Sequence, residues 1–465
     1  MDGTFGEVRT APPYANAVVI GGSIAGLLAS RVLSAYFERV TLVERDRFPA
    51  QAGPRKGLPQ ARHLHVLLAR GRHAMQELFP GIGGELMAAA AEMIDAGRDI
   101  AWLTRAGWGA RFCSQICSFA CSRPLLDDVI RRRVAAIANI TIREETEVAG
   151  LRLAADGRRI TGIVVHDRGR GPGCRSEIAA DLIVDASGRT SRTPDWLADF
   201  GFERPEETVV DAHLGYASRI YRRPPATPAD WKCLYVQAAP PERTRGGVAF
   251  AIEGNRWIVT LGGVGGDYPP TDEAGFHEFM RSLASPELFQ AVAGAEPLSP
   301  IAGYRATENR WRHYERLSRR PEGLLVLGDA ACAFNPVYGQ GMTMAALGAL
   351  LLGDSLKTWR QRRHPALDGL AATFQRALAG INKNPWLLAT SEDFRSPLLD
   401  GARPRLSSRL THRYLDRLIA HTTSDQDLRH VFLGVLHMVN PPDALFRPDI
   451  LARVLFRPRP AVLPS

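Results

Sequence analysis

Hydrophobic positions along the chain fall into short continuous runs that alternate with stretches of helical spacing, the pattern of buried strands with helices laid across them. Residues 16–20 are an apolar, β-branched run, and residues 21–34 carry apolar positions at helical spacing after a glycine-rich turn. Residues 39–44 form a second apolar run ending in an acid, so the opening of the chain predicts a βαβ unit, right-handed by default. Residues 45–60 turn rich in Pro, Gly and charge and predict an excursion loop leading into a helix over about 63–78. Ser122 followed by Pro124 predicts a helix start, with the helix running to about 136. Further strands are predicted at 140–142, 160–166 and 182–184.

The pattern changes between 205 and 317, where alternating strands such as 257–262 and a helix near 273–284 predict a separate, largely antiparallel unit. Residues 323–328 return to a fully apolar buried strand, followed by a loop and a long Ala/Leu-rich helix over 341–359. The opening α/β unit is therefore interrupted and resumed late. Beyond about 375 the pattern is mostly helical, with Pro441, Pro442, Pro448, Pro458 and Pro460 breaking the tail. No internal repeat stands out.

Composition adds limits. With 465 residues, 45% hydrophobic and 23% charged, the chain has room for two or three domains with sizeable cores. Lys and Arg exceed Asp and Glu by 58 − 49 = 9, but the excess is Arg spread along the chain, which reads as a solvated basic surface. No basic run with interleaved aromatics points to nucleic acid. The leader 1–14 lacks a basic region followed by an apolar core, and the apolar stretch 17–33 is broken by three glycines, so neither a secretory signal nor a membrane span is read; a cytoplasmic protein is expected. Six cysteines in so long a chain do not suggest a disulfide scaffold, and Cys113, Cys117 and Cys121, four residues apart, read as buried thiols on one face of a strand. His63 and His65 have no accompanying Cys or carboxylate cluster, so no metal site is expected.

Three motifs carry chemistry. Gly21-Gly22-Ser23-Ile24-Ala25-Gly26 follows a strand and opens a helix, with Ser23 where a second glycine of the phosphate-binding turn is expected. A helix N-terminus behind such a turn offers free N–H groups and the positive end of a dipole to a pyrophosphate. Glu44, at the end of the second strand, stands where a carboxylate accepts ribose hydroxyls, which fits a free 2′-hydroxyl better than a 2′-phosphate. The second motif is Asp185-Ala186-Ser187-Gly188-Arg189 after an apolar strand. The third is Gly328-Asp329-Ala330-Ala331-Cys332, continuing through Pro336, Gly339 and Gly341 into a helix. Asp329 is an acceptor suited to a polyol, and the amides of Gly341 to Thr343 point along a helix dipole at a place suited to negative charge. A glycine turn serving another ligand is the bland alternative for the first motif.

On these residues the sequence resembles the FAD-dependent monooxygenases of the aromatic-hydroxylase fold across most of 16–375. That resemblance implies a Rossmann-like, discontinuous FAD-binding domain of the GR2 type made from 14–80, 120–204 and 318–375, an inserted mainly antiparallel substrate domain from 81–119 and 205–317, and a helical C-terminal region, 376–465. It implies FAD held by Gly21, Ser23, Ala25, Gly26, Glu44, Arg45, Arg62, His63, Arg123, Val148, Asp185, Gly188, Gly328, Asp329, Gly341 and Met342. The segments 55–65, Ala120-Cys121-Ser122-Arg123, Asn335-Pro336-Val337-Tyr338-Gly339 and Leu388-Ala389-Thr390-Ser391 resemble the epoxidases of polyether-antibiotic biosynthesis. The sequence departs from the family at Asp-Ala-Ser-Gly for Asp-Gly and at Cys332 for a common His.

The implied activity is oxygen transfer. NAD(P)H reduces FAD, O2 adds at C(4a), and the hydroperoxide epoxidises or hydroxylates an alkene or aromatic natural product beside a wall made by Pro336, Gly339 and Gly341. No base for a phenol can be named from the sequence, which favours an alkene. Tyr235, Phe250 and Trp257 are candidate substrate contacts. Alternatives are a flavin-dependent reductase of isoprenoid double bonds, a flavin halogenase, whose lysine-bearing Trp-rich motif is not found, and a flavoprotein binding at a membrane surface without turnover.

Overall fold

The computed structural model describes residues 14–55, 57–168, 175–224, 229–361, 367–402 and 406–458. Most of the leader 1–14, Lys56 and Pro460 lie outside the described residues.

A five-stranded parallel sheet has its most apolar strands at Leu182–Asp185 and Leu324–Val326, in the spatial order Leu324–Val326, Leu182–Asp185, Tyr14–Ile20, Phe37–Val43, Ile140–Arg143. Helices Ile24–Leu33, Arg123–Ala135 and Gly341–Gln361 cover one face, with Ile24–Leu33 packed against both of the others. A three-stranded antiparallel sheet, Thr146–Leu153, Ile160–Asp167 and Arg175–Ala179, packs against the strand Leu182–Asp185. The predicted α/β class with a discontinuous Rossmann-like unit is therefore what the chain forms. Ser122 caps the helix Arg123–Ala135 as the sequence predicts, accepting a hydrogen bond from Leu125 N at 3.2 Å.

The second large sheet has seven strands, in the order Ala302–Tyr304, Gly215–Arg222, Arg256–Gly263, Arg245–Ile252, Cys233–Val236, Ile100–Thr104, Gly107–Trp108. Its pairings are antiparallel apart from the parallel pair Cys233–Val236 with Ile100–Thr104. Strand alternation sorts its side chains onto two faces. Trp257, Val259, Leu261, Tyr221 and Leu234 lie under the helices Glu273–Arg281 and Glu287–Val292 in a closed core. Phe250, Ile258, Ile220, Tyr235 and Val248 occupy the opposite face, where they pack with Leu64 and Val66 of the excursion loop. Trp257 thus belongs to the core, while Tyr235 and Phe250 turn the other way.

Two local expectations are corrected. The helix predicted over 63–78 begins only at Ala69; Pro59–Arg62 is a short 3-10 turn and residues 63–68 are not helical. The apolar spacing there arises because Leu64 and Val66 pack on the second sheet in irregular chain, and a strictly local periodicity cannot tell that from a helix. The three spaced cysteines do not share a strand face. Only Cys117 lies in a strand, Cys117–Ala120; Cys113 is exposed in the preceding loop and Cys121 is buried after it, its thiol pushed up to about 12 by burial.

The C-terminal helices Leu370–Asp393, Leu406–His421, Gln426–Leu436 and Pro448–Phe456 follow, the last three gathered around Leu418, Leu428, Phe432 and Val454. No helix among the described residues is long and apolar enough to cross a membrane. Trp257 has 0% exposure and stacks on Trp231 at 5.2 Å. Trp257→Ala is expected to cost about 3–5 kcal/mol in urea denaturation; a loss under about 1 kcal/mol would contradict a closed core on that face.

Candidate functional site

Three segments remote in sequence meet where the parallel strands end. Gly21 has φ +99°, and a Cβ there would come 2.7 Å from the Ala186 carbonyl oxygen. A Cβ on Gly26 would fall 1.8 Å from the Gly21 carbonyl oxygen, so only glycine lets the helix Ile24–Leu33 start this close to its strand. A Cβ on Gly328, which has φ +64°, would lie 2.9 Å from the Ala25 Cβ, so the Gly-Asp turn abuts the same helix start. Ser23 explains the departure from glycine. Its φ of −88° suits any L-residue, and its hydroxyl accepts a hydrogen bond from Arg123 Nη2 at 2.9 Å instead of capping the helix. First-turn amides and the largely buried Arg123 guanidinium, which also pairs with Asp127 at 2.9 Å, therefore converge on one point, a combination suited to phosphate.

Glu44 is buried and already engaged. Oε2 accepts Gly22 N at 2.8 Å and lies 2.9 Å from Arg55 Nη1, while Oε1 accepts Asp46 N at 3.0 Å. Arg55 also donates to Gly22 O at 3.0 Å and stacks 4.8 Å over the Phe48 ring. The excursion loop so forms one wall of a narrow crevice lined by Gly22, Leu27, Phe48, Arg55 and Pro124. Neither Arg55 nor Phe48 is apparent from the motif, because both lie in the irregular loop. Arg45 is exposed beside Glu44, and Val148 is buried in the neighbouring strand Thr146–Leu153.

The Asp185 carboxylate is turned wholly inward. Oδ1 accepts Ser187 N and Oγ at 2.9 and 2.6 Å, and Oδ2 accepts Ser191 Oγ and Thr193 Oγ1 at 2.5 and 2.6 Å. It knots its own turn, and what that turn offers a ligand is backbone around Gly188, where a Cβ would meet nothing within 4 Å. The next residue, Arg189, braces the site from below, donating to Glu308 O and Phe334 O and lying 3.9 Å from Asp329 Oδ2.

Asp329 keeps its side chain 40% exposed, and its pKa is raised by desolvation, opposed by Arg189 and Arg123. A Cβ on Gly341 would sit 3.9 Å from Asp329 Oδ1, so this acceptor lies beside the N-terminus of the helix Gly341–Gln361. Met342 is buried in that first turn.

Between them runs the turn Asn335 to Gly339. Asn335 caps the 3-10 turn Pro336–Tyr338 by accepting from Val337 N, and Gly339 closes it at φ +66°. The turn is held from the helix Leu370–Asp393 by Asp393, which is 4% exposed. Asp393 accepts hydrogen bonds from Tyr338 Oη at 2.6 Å, from Asn335 Nδ2 at 3.1 Å and from Asn309 Nδ2. Burial pushes its pKa up to about 6, against the lowering effect of these donors. Neither Asn309 nor Asp393 was singled out in the sequence, although Asp393 lies two residues after Leu388-Ala389-Thr390-Ser391.

His63 is buried. Nδ1 lies 2.8 Å from Ser218 Oγ, and the ring meets Tyr216 edge-on at 4.7 Å; burial and Arg62 push its pKa down to about 4. His65 places Nδ1 3.0 Å from the His63 carbonyl, so that nitrogen carries the proton, and burial together with Arg123 lowers its pKa to about 3. Both rings are neutral near pH 7. Arg62 is exposed. His63 also packs on Tyr304 at 5.8 Å.

The chain matches the family model described as FAD binding domain over residues 14–367. It is 37% identical over 391 residues to Protein Rv3254 of Mycobacterium tuberculosis, covering 82% of this chain and 80% of that protein. Among solved structures, a triple mutant of the flavin-dependent brominase Bmp2 superposes with a TM-score of 0.65 at 14% identity, covering 93% of this chain and 98% of that one. PqsL of Pseudomonas aeruginosa, described as a probable FAD-dependent monooxygenase, gives 0.60 at 16% identity, covering 82% and 97%.

The Asp393 contacts generate a pH prediction. A carboxylate whose folded pKa is about 6, above its ordinary 3.8, favours the fold most at low pH, and that contribution is lost as pH rises through about 6. Asp393→Asn does not titrate. Denaturation at pH 4 and pH 7.5 is expected to show its stability relative to wild type improving by on the order of 3 kcal/mol at the higher pH. An unchanged difference would mean that Asp393 is not the perturbed group.

Proposed function

The chain belongs to the FAD binding domain family, and from that premise we propose that it is an FAD-dependent monooxygenase using NAD(P)H and O2 to epoxidise or hydroxylate an electron-rich natural product. The residues fit FAD. The helix start at Ile24 and the Arg123 guanidinium suit its pyrophosphate, Glu44 the ribose end, Asp329 a polyol, and the amides of Gly341 and Met342 the negative charge of a reduced ring. The glycines at 21, 26 and 328 give the backbone approach such a ligand requires. When bound, FAD supplies the two-electron reduction and the activation of oxygen.

The protein's part is positioning and exclusion of water. The observation that carries the reading is the apolar face of the seven-stranded sheet on the side of the Pro336–Tyr338 turn: Val66 lies 3.3 Å from where a Gly339 Cβ would be, and Val66 packs with Ile220, Tyr235, Val248 and Phe250. Tyr338 and Tyr235 have pKa values raised by burial and stay neutral, and Asp393 is saturated by donors. Among the described residues of that turn, the Tyr338 hydroxyl and the Asp393 carboxylate are engaged with each other, which supports an alkene over a phenol, and epoxidation as the reaction. Pro336, Gly339 and Gly341 form the wall against which the substrate is held.

Asp329→Ala and Glu44→Ala are expected to weaken FAD retention about 10-fold or more by absorbance after dialysis, since each removes a charged hydrogen-bond acceptor. Unchanged occupancy in both would remove the cofactor assignments. The reaction itself is tested by reducing the holoprotein anaerobically with NADH or NADPH and mixing it with oxygen. Reoxidation through a spectrally distinct intermediate is expected; a single-step return to oxidised flavin across a panel of alkenes would favour the reductase alternative.

A further inference from the structure

Arg429, on the helix Gln426–Leu436, is 1% exposed. Among the described residues its guanidinium has no carboxylate and no hydrogen-bond acceptor, and Nε and Nη2 are both enclosed and unpaired. The other buried arginines are satisfied: Arg123 by Asp127 and Ser23, Arg312 by Glu207 and two backbone carbonyls. The nearby acids are committed elsewhere, Asp425 to Leu428 N, Arg453 and Arg457, and Asp416 to Arg105 and Arg395. Burial lowers the Arg429 pKa only to about 10, so it remains a cation at neutral pH. An unpaired buried cation is among the costliest things a fold can hold.

The surroundings are shaped to keep it there. A Cβ on Gly109 would fall 1.2 Å from Arg429 Nη1, so only glycine at 109 admits the guanidinium. Its Cζ lies 5.8 Å from the Trp102 ring, and Trp102 stacks between Tyr235 at 5.7 Å and Phe432 at 6.0 Å. Trp102 and Tyr235 are only partly buried; Tyr235 packs on the face that holds Phe250, and Trp102 stands opposite Tyr235 on the neighbouring strand. Tyr235 in turn is close enough to Tyr338 to act on it electrostatically. An aromatic row therefore runs from Arg429 towards the Pro336–Tyr338 turn.

We propose that Arg429 anchors a carboxylate of the substrate, whose elongated apolar body lies along Trp102 and Tyr235 with its reacting end beside Pro336. The two unpaired nitrogens are the adjacent pair that forms a side-on fork, which matches the two oxygens of a carboxylate. Only the position of the reacting end rests on the oxygenase reading. The anion site stands on the unpaired cation and its aromatic walls.

The test is calorimetric titration of the full-length, FAD-loaded protein with decanoate and with decanamide, which share an apolar body and differ in charge. Decanoate is expected to bind at least about 10-fold more tightly, the scale of a charged hydrogen-bonded pair. Arg429→Gln is expected to abolish that preference and Arg429→Lys to restore part of it, with FAD occupancy unchanged. In thermal unfolding without ligand, Arg429→Met is expected to raise the Tm, because it removes a charge that nothing offsets. Equal binding of acid and amide by wild type would overturn the proposal, as would undiminished decanoate binding by Arg429→Gln or a lowered Tm for Arg429→Met. The acid–amide comparison uses wild type and stands even where a variant does not fold. Binding is read without turnover, so a failed oxygen reaction leaves this result separately legible.

Discussion

The contact on which the rest depends is that of the Gly26 backbone with the Gly21 carbonyl, so close that a methyl group would overlap it. This contact sets how near the helix Ile24–Leu33 begins to its strand, and with it the point at which the helix amides converge. Ala25 then meets Gly328, Ser23 meets Arg123, and Asp329 is carried to the start of the long helix that follows. Packing of this kind is unforgiving, because a core close to crystal density answers an added atom by moving whole elements. A displacement of the helix would separate groups contributed from positions as distant as 23, 123 and 329.

The parallel sheet was legible because its inner strands are nearly continuous apolar runs that glycines punctuate. The Gly-Asp turn was legible because an apolar strand ends at its glycine, and the Asp329 side chain is left partly exposed. Glu44 and Asp185 were found by motif, but the sequence could not say that Arg55 and Asp46 already engage the first or that four turn donors consume the second. Side-chain partners brought together by the fold leave no local pattern. The helix expected from 63 failed because alternation caused by packing on another sheet imitates helical spacing over so short a span. Trp257 and Tyr235 were indistinguishable as aromatics on strands until register assigned them to opposite faces.

The C-terminal helices are more than a cover. Asp393 fixes the Asn335–Tyr338 turn from one of them, and Arg429 reaches the second sheet from another. Both residues hold ionisable groups away from water, one amid donors and one without acceptors. The turn Asn335–Tyr338 and the second sheet are thus both completed by side chains from the C-terminal helices.

The strand Leu324–Val326 pairs with Leu182–Asp185 across nearly a third of the chain. During synthesis the apolar edge at 182–185 emerges with no neighbour on that side until residue 326 follows, a wait of roughly 7–30 s at ~5–20 residues per second. In that interval the nascent protein carries an open sheet edge and an unfinished nucleotide pocket. The three-residue strand is therefore a late lock on the fold, and until it pairs the bare edge is open to pairing with another chain.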